Sequence, residues 1–246
     1  MTTTQTQATQ TQTPALQLID VHAAYGRIEV LHGVDLTVPR GCVVALLGPN
    51  GAGKSTTLRV ASGQMQPTSG HVHLSGHHLN GAEPDRLARA GLCTIPEGRG
   101  VFPNLSVDEN IRLFAYTAKV GEKEIRERTF AQFPRLQERR SQLAGRLSGG
   151  EQQMLAMARA LSTDPALLML DELSMGLAPL IVEQLYELVA EIAATGVSVL
   201  VVEQFARRAL AVAQYAVVMV GGRVTAVGEP ADIESQLSEA YLGGAA

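Results

Sequence analysis

The sequence has no long hydrophobic run, no excess of positive charge and only two cysteines. No apolar stretch approaches the roughly 18 residues that span a bilayer, so we do not expect the chain to cross a membrane by itself. The net charge of −4 argues against a nucleic-acid-binding protein held by bulk charge. Cys42 and Cys93 cannot form a disulfide framework. The remaining composition, 246 residues of which 46% are hydrophobic, suits one large domain or two small ones.

The first 14 residues carry no charge and almost no apolar side chain, because they alternate mainly between threonine and glutamine. Such a segment buries too little surface to offset the entropy lost on ordering, and we expect a disordered tail. It also lacks the basic start and apolar centre of a secretory signal. We therefore predict a single domain over residues 15–242.

Four short apolar runs without alternation have the pattern of strands that are buried on both faces, as in a parallel sheet covered by helices. They occupy residues 43–47, 167–170, 197–202 and 217–220. Helical spacing of apolar residues lies between them, at 55–61, 151–161 and 181–194. This alternation predicts an α/β fold with a mostly parallel sheet.

Two regions depart from the alternation. Residues 16–40 and 70–80 have the pattern of short strands punctuated by turns, which predicts a separate antiparallel β subdomain. Residues 106–146 are rich in charge and helical in spacing. We interpret them as part of a helical subdomain, at about 98–162, that is inserted between strands of the core.

The strongest motif follows the first buried run and precedes a helix. It matches G-x-x-x-x-G-K-[ST] and consists of Gly48, Pro49, Asn50, Gly51, Ala52, Gly53, Lys54, Ser55 and Thr56. Glycines let the backbone N–H groups turn inward around an anion, and the helix start adds its positive dipole end. Lys54 would reach the β- and γ-phosphates of a nucleotide, and the Ser55 hydroxyl would bind Mg²⁺. The motif predicts a P-loop NTPase core that binds ATP.

Two carboxylates end the apolar run at 167–170. A buried strand delivers Asp171 and Glu172 at its carboxyl end, where ligands bind in open α/β sheets. Asp171 would hold the Mg²⁺ ion. Glu172 would act on the water that attacks the γ-phosphate, as general base or as its positioner.

A second Gly-containing helix start, Ser148-Gly149-Gly150, has the features of another phosphate-binding end. Since Lys54 already holds the γ-phosphate, we expect this end to serve the ATP of another subunit. ATP would then lie between two chains and hold them together.

With these motifs in this order, residues 16–242 resemble the ATP-binding subunits of ABC transporters, and residues 147–151 (Leu-Ser-Gly-Gly-Glu) resemble the family signature. The resemblance implies that Ser148, Gly149 and Gly150 contact the partner's ATP and that Tyr25 stacks on adenine. Residues 95–99, 102–105, 174–179, 202–204 and 240–244 are similar to the branched-chain amino-acid importer ATPases, more exactly to their shorter ATPase subunit. The resemblance implies a second ATPase subunit, two membrane permease subunits, an extracytoplasmic solute-binding protein and a place at the cytoplasmic face of the membrane.

Three positions depart from the common ABC pattern. Glu97 stands where a glutamine usually touches Mg²⁺ and the attacking water, and a carboxylate can also bind this cation. Gln204 stands where a histidine usually holds the γ-phosphate, and its amide can still donate a hydrogen bond. Ala178 stands where an aspartate usually bridges the two subunits. These departures leave open whether both ATP sites hydrolyse, and we expect slow or partner-dependent turnover of the isolated chain.

Phe102, Pro103 and Leu105 follow Glu97 in the sequence. In the resemblance, this segment lines the groove that receives a permease coupling helix, whereas ordinary packing of the helical subdomain is the alternative. Residues 71–78 contain four histidines at a spacing that could attract zinc. No cysteine or carboxylate accompanies them, so we expect a β-hairpin with exposed histidines instead.

Other functions stay open at this point. The cargo could be another amino acid or a short amide such as urea, and the chain could be a soluble ABC ATPase acting on ribosomes or DNA. Ribosome-acting members usually join two ATPase units in one chain, and DNA-repair members carry long coiled coils before the signature. Here a single unit is present, and fewer than 100 residues separate Lys54 from Ser148. A non-hydrolysing subunit is a third possibility, against which the intact Glu172 argues.

Overall fold

The structure, a computed structural model, describes residues 12–98, 100–115, 121–234 and 236. Most of the Thr/Gln-rich segment and the similarity at 240–244 therefore lie outside the described residues. The strands are β1 (Leu16–Tyr25), β2 (Ile28–Val38), β3 (Val43–Leu47), β4 (Ser69–Leu74), β5 (His77–His78), β6 (Leu92–Ile95), β7 (Leu167–Asp171), β8 (Ser198–Glu203), β9 (Tyr215–Val220) and β10 (Arg223–Gly228). The helices are α1 (Lys54–Ala61), α2 (Pro84–Arg89), α3 (Val107–Ala115), α4 (Glu122–Gln132), α5 (Pro134–Glu138), α6 (Gly149–Leu161), α7 (Pro179–Ala194) and α8 (Ala206–Val212).

The larger sheet has six strands in the order β10-β9-β3-β8-β7-β6. Strands β6, β7, β8, β3 and β9 run parallel, and β10 pairs antiparallel with β9 at one edge. The four apolar runs of the sequence become β3, β7, β8 and β9. Each is buried on both faces, because alternate residues of one strand enter different cores: Val43 and Ala45 pack in one, Val44 and Leu46 in the other.

The smaller sheet has four strands in the order β2-β1-β4-β5, and all of its pairings are antiparallel. The sequence predicts short strands here, whereas β1 and β2 have 10 and 11 residues. Register shifts between Leu18 and Val21 and between Ala23 and Ala24 interrupt the pairing of β1 with β2 without ending either strand. The sequence therefore suggested turns between short strands where the structure has irregularities within two long ones.

The helical segment α3 to α6 lies in the chain between β6 and β7. Its buried residues, among them Ile111, Leu136 and Met157, join the same core as β3, β7 and α7. Among the described residues, no helix combines the length and apolarity that crossing a bilayer requires.

Candidate functional site

The carboxyl ends of the central parallel strands meet at one edge of the six-stranded sheet. Leu47 at the end of β3 pairs with Glu203 at the end of β8, and Asp171 at the end of β7 pairs with Val202. The phosphate-loop motif begins one residue after Leu47. The sheet register thus brings the loop and the acidic residues to the same edge, as expected from the sequence.

The loop between β3 and α1 depends on glycine at two positions. A Cβ added at Gly48 would lie 2.3 Å from the backbone oxygen of Met219 on the neighbouring β9, so no side chain fits there. Gly53 is the N-cap of α1 and has φ of 102°, a conformation that is strained for residues with a Cβ. Packing against β9 and the helix start, not only an approaching phosphate, therefore requires these glycines.

The other loop residues differ in exposure. Asn50, Gly51 and Ser55 are exposed, whereas Ala52 and Thr56 are buried. The Ala52 carbonyl accepts a hydrogen bond of 2.9 Å from the backbone of Gly222 after β9. Pro49, between the buried and exposed parts, is partly buried, and its carbonyl accepts from the Ala52 backbone.

Lys54 closes the loop on itself in this structure. Its Nζ donates to the backbone oxygens of Gly48 at 2.8 Å and Pro49 at 3.2 Å, and the residue is only 5% exposed. Burial lowers the pKa of Lys54, while the carboxylates of Glu172 and Asp171 oppose that change. The lysine thus carries its charge inside the loop, within electrostatic reach of the acidic edge.

Asp171 is the residue at this edge whose polar atoms are least satisfied. Its Oδ1 is buried and has no hydrogen-bond partner. Burial, followed by the charges of Glu172 and Glu97, raises the pKa of the Asp171 carboxyl to about 6, and Lys54 only partly offsets this. A buried carboxylate oxygen without a donor, beside other carboxylates, is an arrangement that a cation stabilises.

Glu172 has a left-handed backbone conformation, with φ of 48°. Its N–H donates to the carbonyl of Val202 at 2.9 Å, which extends the β7–β8 pairing by one residue beyond Asp171. A non-glycine residue in this region carries strain of about 1 kcal/mol or more. The backbone that orients Glu172 is therefore held by the adjacent strand.

Glu203 forms a network that the sequence did not reveal. The carboxylate is 2% exposed and accepts hydrogen bonds from the Ser174 backbone and hydroxyl, both at 3.0 Å, and from the Tyr186 hydroxyl at 2.8 Å. Burial raises the pKa of Glu203, and the three donors oppose that rise. This network fixes the turn after Glu172 to the end of β8 and to α7.

Two further predicted residues follow strands of the same sheet. Gln204 directly follows β8 and is half-buried, and Glu97 lies exposed in the turn after β6. The charge of Glu97 contributes to the raised pKa of Asp171. The structure therefore brings both residues to the edge that carries Asp171.

Tyr25 ends β1 and lies beside α1. Its ring is 46% exposed, and its hydroxyl accepts a hydrogen bond of 3.0 Å from Arg59. A hydrogen bond with the Thr56 side chain, followed by the contact with Arg59, lowers the pKa of Tyr25. An exposed aromatic face thus adjoins the helix that begins at the phosphate loop.

Ser148 and its two glycines form the start of α6. Ser148 is the N-cap in a capping box: its backbone N–H donates to Glu151 at 2.9 Å, and its hydroxyl accepts from the Glu151 backbone at 3.4 Å. Gly149 is partly exposed, whereas a Cβ at Gly150 would lie 2.4 Å from Ile181 of α7. A side chain at position 150 would therefore displace Ile181, a packing constraint that the motif itself did not indicate.

Comparisons with known proteins agree with this geometry. A family model described as ABC transporter matches residues 31–174. The branched-chain amino acid transport ATP-binding protein BraG of Pseudomonas aeruginosa is 41% identical, over 91% of this chain and 97% of its own length. The probable branched-chain amino acid transport protein LivF of Archaeoglobus fulgidus is 36% identical, over 85% of this chain and 89% of its own.

The similarity also extends to a protein named for export. Nod factor export ATP-binding protein I of Cupriavidus pinatubonensis is 37% identical, over 92% of this chain and 70% of its own length.

Solved structures give the same fold. The ADP conformation of MJ1267, an ATP-binding cassette of an ABC transporter, superposes with a TM-score of 0.84 at 26% identity and covers 94% of this chain and 99% of its own. A bacterial ABC transporter cassette in dimeric form, MJ0796, gives 0.77 at 25% identity, over 87% of this chain and 98% of its own. The predicted α/β class with a parallel core sheet, an antiparallel β subdomain and an inserted helical segment is confirmed. The chain belongs to the ABC transporter family and is one of its ATP-hydrolysing, nucleotide-binding subunits.

Proposed function

We propose that this chain is the ATPase subunit of a membrane importer for branched-chain amino acids. The cargo assignment rests on its likeness to BraG and LivF, both named for branched-chain amino acid transport. The assignment of ATP hydrolysis rests on one observation. The buried Oδ1 of Asp171, which has no hydrogen-bond partner, lies at the same sheet edge as the phosphate loop, and the Asp171 carboxylate interacts electrostatically with Lys54.

ATP is the substrate in this proposal. The triphosphate binds in the loop from Gly48 to Thr56, and Lys54 exchanges its two backbone acceptors for oxygens of the β- and γ-phosphates. The exposed face of Tyr25 stacks on adenine, while the hydrogen bond from Arg59 holds the ring in place.

The residues present fit a bound Mg²⁺ ion. Asp171 supplies a buried oxygen that has no donor, Ser55 is an exposed hydroxyl residue of the phosphate loop, and Glu97 adds a carboxylate whose charge acts on Asp171. These three residues would hold the ion, directly or through water. When bound, Mg²⁺ neutralises charge on the phosphate oxygens during transfer.

Glu172 positions or deprotonates the attacking water. The water oxygen bonds to the γ-phosphorus, the bond to the β-phosphate oxygen breaks, and ADP leaves. The strained backbone at Glu172, held by the hydrogen bond to Val202, orients its carboxylate. The Gln204 amide donates a hydrogen bond to the γ-phosphate, which stabilises charge but supplies no proton.

The second phosphate-binding end acts on another subunit's nucleotide. Ser148 exchanges hydrogen bonds with Glu151, whereas those of Lys54 stay within its own loop. The first-turn N–H groups at Gly149 and Gly150 have no acceptor within their helix and can bind the γ-phosphate held by a partner ATPase. The dimeric form of the similar cassette MJ0796 supports a paired arrangement.

In this proposal the ATPase pair works at the cytoplasmic face of the membrane with two permease subunits, and a solute-binding protein delivers the cargo from outside. A second candidate is export, because a relative named for Nod factor export is 37% identical. The match to BraG covers 97% of its length, against 70% for the export protein, and favours transport of branched-chain amino acids.

The test is transport by the complete assembly in proteoliposomes. With ATP on the side of the ATPases, labelled leucine, isoleucine and valine should move toward that side, and urea or basic amino acids should not. Lys54→Ala in this chain should abolish uptake, and so should Ser148→Arg, which blocks the proposed partner contact. Movement of cargo away from the ATPase side, or undiminished uptake by either variant, would contradict the proposal.

A further inference from the structure

Three histidines come together on the outer face of the smaller sheet, away from the acidic edge of the larger one. His73 in β4 and His78 in β5 are direct partners in the antiparallel pairing. His71 precedes His73 by two residues, so its side chain lies on the same face. The partner of His77 is Leu74, which faces the core, and His77 therefore belongs to the opposite side of the pleat.

The spacing of the three rings is close to that of a tetrahedral metal centre. A zinc ion lies about 2.0–2.1 Å from each imidazole nitrogen, so tetrahedral angles place ring centroids about 5 Å apart and ligating nitrogens about 3.3 Å apart. The His71–His78 and His73–His78 centroids are both 5.2 Å apart. The His71 Nδ1 and His78 Nε2 atoms are separated by 3.1 Å.

The third ring supplies a nitrogen that is not otherwise used. His73 Nδ1 is buried and has no hydrogen-bond partner. A polar atom in that position normally finds a donor, an acceptor or an ion. The hydrogen bond between His71 and His78 also requires one of these two rings to be neutral, which is the form that binds metals.

For all three rings to bind one metal ion, the separation of one pair of rings must decrease. Across the described residues, no three His, Cys, Asp or Glu side chains are already placed to hold a metal ion. Here the wide pair is His71–His73, whose centroids are 6.2 Å apart. Rotation of these side chains on a fixed hairpin can close that gap of about 1 Å, since imidazole orientation about χ2 is broad.

We propose that His71, His73 and His78 form a binding site for a divalent transition-metal ion of the Zn²⁺ class. Imidazole nitrogens suit zinc, nickel and copper, whereas Mg²⁺ prefers oxygen ligands, so this site does not compete with the nucleotide for its magnesium. The fourth position is open to water. The bound ion clips β5 onto β4 and stabilises the edge of the antiparallel sheet.

The sequence alone argued against zinc here, because neither cysteine nor carboxylate accompanies the histidines. The β-hairpin that it predicted is present as β4 and β5. What the spacing could not show is the register, which sets His73 opposite His78 and leaves His77 on the other face.

The experiment uses the full chain, freed of nucleotide and metal with a chelator. Zn²⁺ and Co²⁺ are titrated by calorimetry and by the visible absorption of cobalt, which is strong in tetrahedral coordination. We expect one equivalent to bind and the midpoint of thermal unfolding to rise with metal concentration. His73→Ala and His78→Ala should weaken binding by more than the roughly 10–100-fold that loss of a supporting residue causes. His77→Ala is the matched control and should bind as the unchanged chain does.

None of these histidines belongs to the proposed ATP-binding site, so basal ATP hydrolysis should be equal in all variants. This activity also serves as the check that each variant is folded. Absence of stoichiometric binding at sub-millimolar metal overturns the proposal. Binding that survives in His73→Ala also overturns it, since the ion would then lie elsewhere, for example at His22, Glu29 and His32. The proposal is also overturned if His77→Ala loses as much metal affinity as His78→Ala.

Discussion

The guanidinium of Arg159 lies over the ring of Phe102, with its carbon 4.9 Å from the ring centroid. Arg159 is 4% exposed and also donates to the backbone oxygen of Gly100. Because Arg159 is on α6, the helix that begins with the signature residues is tied to the loop that follows Glu97. Phe102 itself remains 46% exposed. The segment is therefore packed against the helical subdomain and still presents an apolar face, so packing and partner binding are compatible.

Arg159→Ala should lower the free energy of unfolding by about 2–3 kcal/mol, because it removes a buried cation–π contact and a charged hydrogen bond. Arg159→Lys keeps the charge but not the planar group and should lose about half of that. Urea unfolding measures both. Arg86→Ala, on the exposed side of α2, is the control and should change stability by less than about 0.5 kcal/mol. Equal effects at the two arginines would contradict the assignment.

Asp171→Asn should change the pH dependence of stability in the metal-free, nucleotide-free chain. The pKa of Asp171 is raised from 3.8 to about 6 in the folded protein, so between these values the folded state binds a proton that the unfolded state has lost. Its contribution to the unfolding free energy therefore falls as pH rises from about 4 to about 6. Removing the carboxylate should stabilise the chain at pH 7 by on the order of 1–2 kcal/mol, allowing for solvent screening.

Thermal or urea unfolding across this pH range checks the prediction, with the difference between the two proteins as the readout. Mg²⁺ should stabilise only the unchanged chain, and more so above pH 6, where the carboxylate is ionised. Parallel stability curves for the two proteins would show that Asp171 does not titrate as described.

Glu172→Gln should slow ATP hydrolysis by about 100-fold or more, since the amide cannot accept a proton from water. ATP binding should be retained, because Lys54 and the loop are unchanged. Phosphate release and nucleotide affinity are measured separately on the complete assembly. Glu191→Gln, at an exposed position of α7, is the matched control and should leave both quantities unaltered.

The isolated chain should hydrolyse ATP slowly, and its turnover per subunit should rise with protein concentration or on adding the partner ATPase. The reason is that, in the proposed arrangement, each nucleotide needs the Ser148 end of a second subunit. Steady-state rates over a concentration series measure this dependence. Vigorous turnover that is independent of concentration would contradict the two-subunit arrangement.

Tyr186→Phe should destabilise the chain by about 1–3 kcal/mol, because it removes one of three donors to the buried Glu203 carboxylate. The pKa of Glu203 should rise further, so the deficit should be larger at pH 8 than at pH 5. Tyr215→Phe, with a half-exposed ring, is the control. Denaturant unfolding at the two pH values decides the matter, and a deficit independent of pH would argue against an ionised Glu203.

The sequence predicted the central strands because continuous apolar runs are required of strands buried on both faces. It did not predict β6 (Leu92–Ile95), a short run that includes Cys93 and Thr94, or β10, whose residues alternate in burial at the sheet edge. The phosphate loop and Asp171 were predictable since each is a local pattern attached to a strand end. Their roles toward ATP and Mg²⁺ remain predictions.

The features that the sequence did not predict all depend on contacts between distant segments. Glu203 meets Tyr186 and Ser174 only through the sheet and α7, and no spacing in the sequence encodes those hydrogen bonds. The close packing at Gly150 likewise comes from Ile181, on another helix. Local motifs identify candidate site residues, whereas the hydrogen bonds and packing contacts that hold these residues become visible only in the folded chain.

The close approach of Gly150 to Ile181 has a mechanical consequence. A methyl group at position 150 would lie 2.4 Å from the Ile181 side chain, so the start of α6 packs tightly against the start of α7, which follows the turn after Glu172. In the proposed two-subunit arrangement, a rotation of the helical subdomain that brings Ser148 to a neighbour's nucleotide would press on the segment that follows Glu172. In that arrangement, this contact would link engagement of one nucleotide to cleavage of the other.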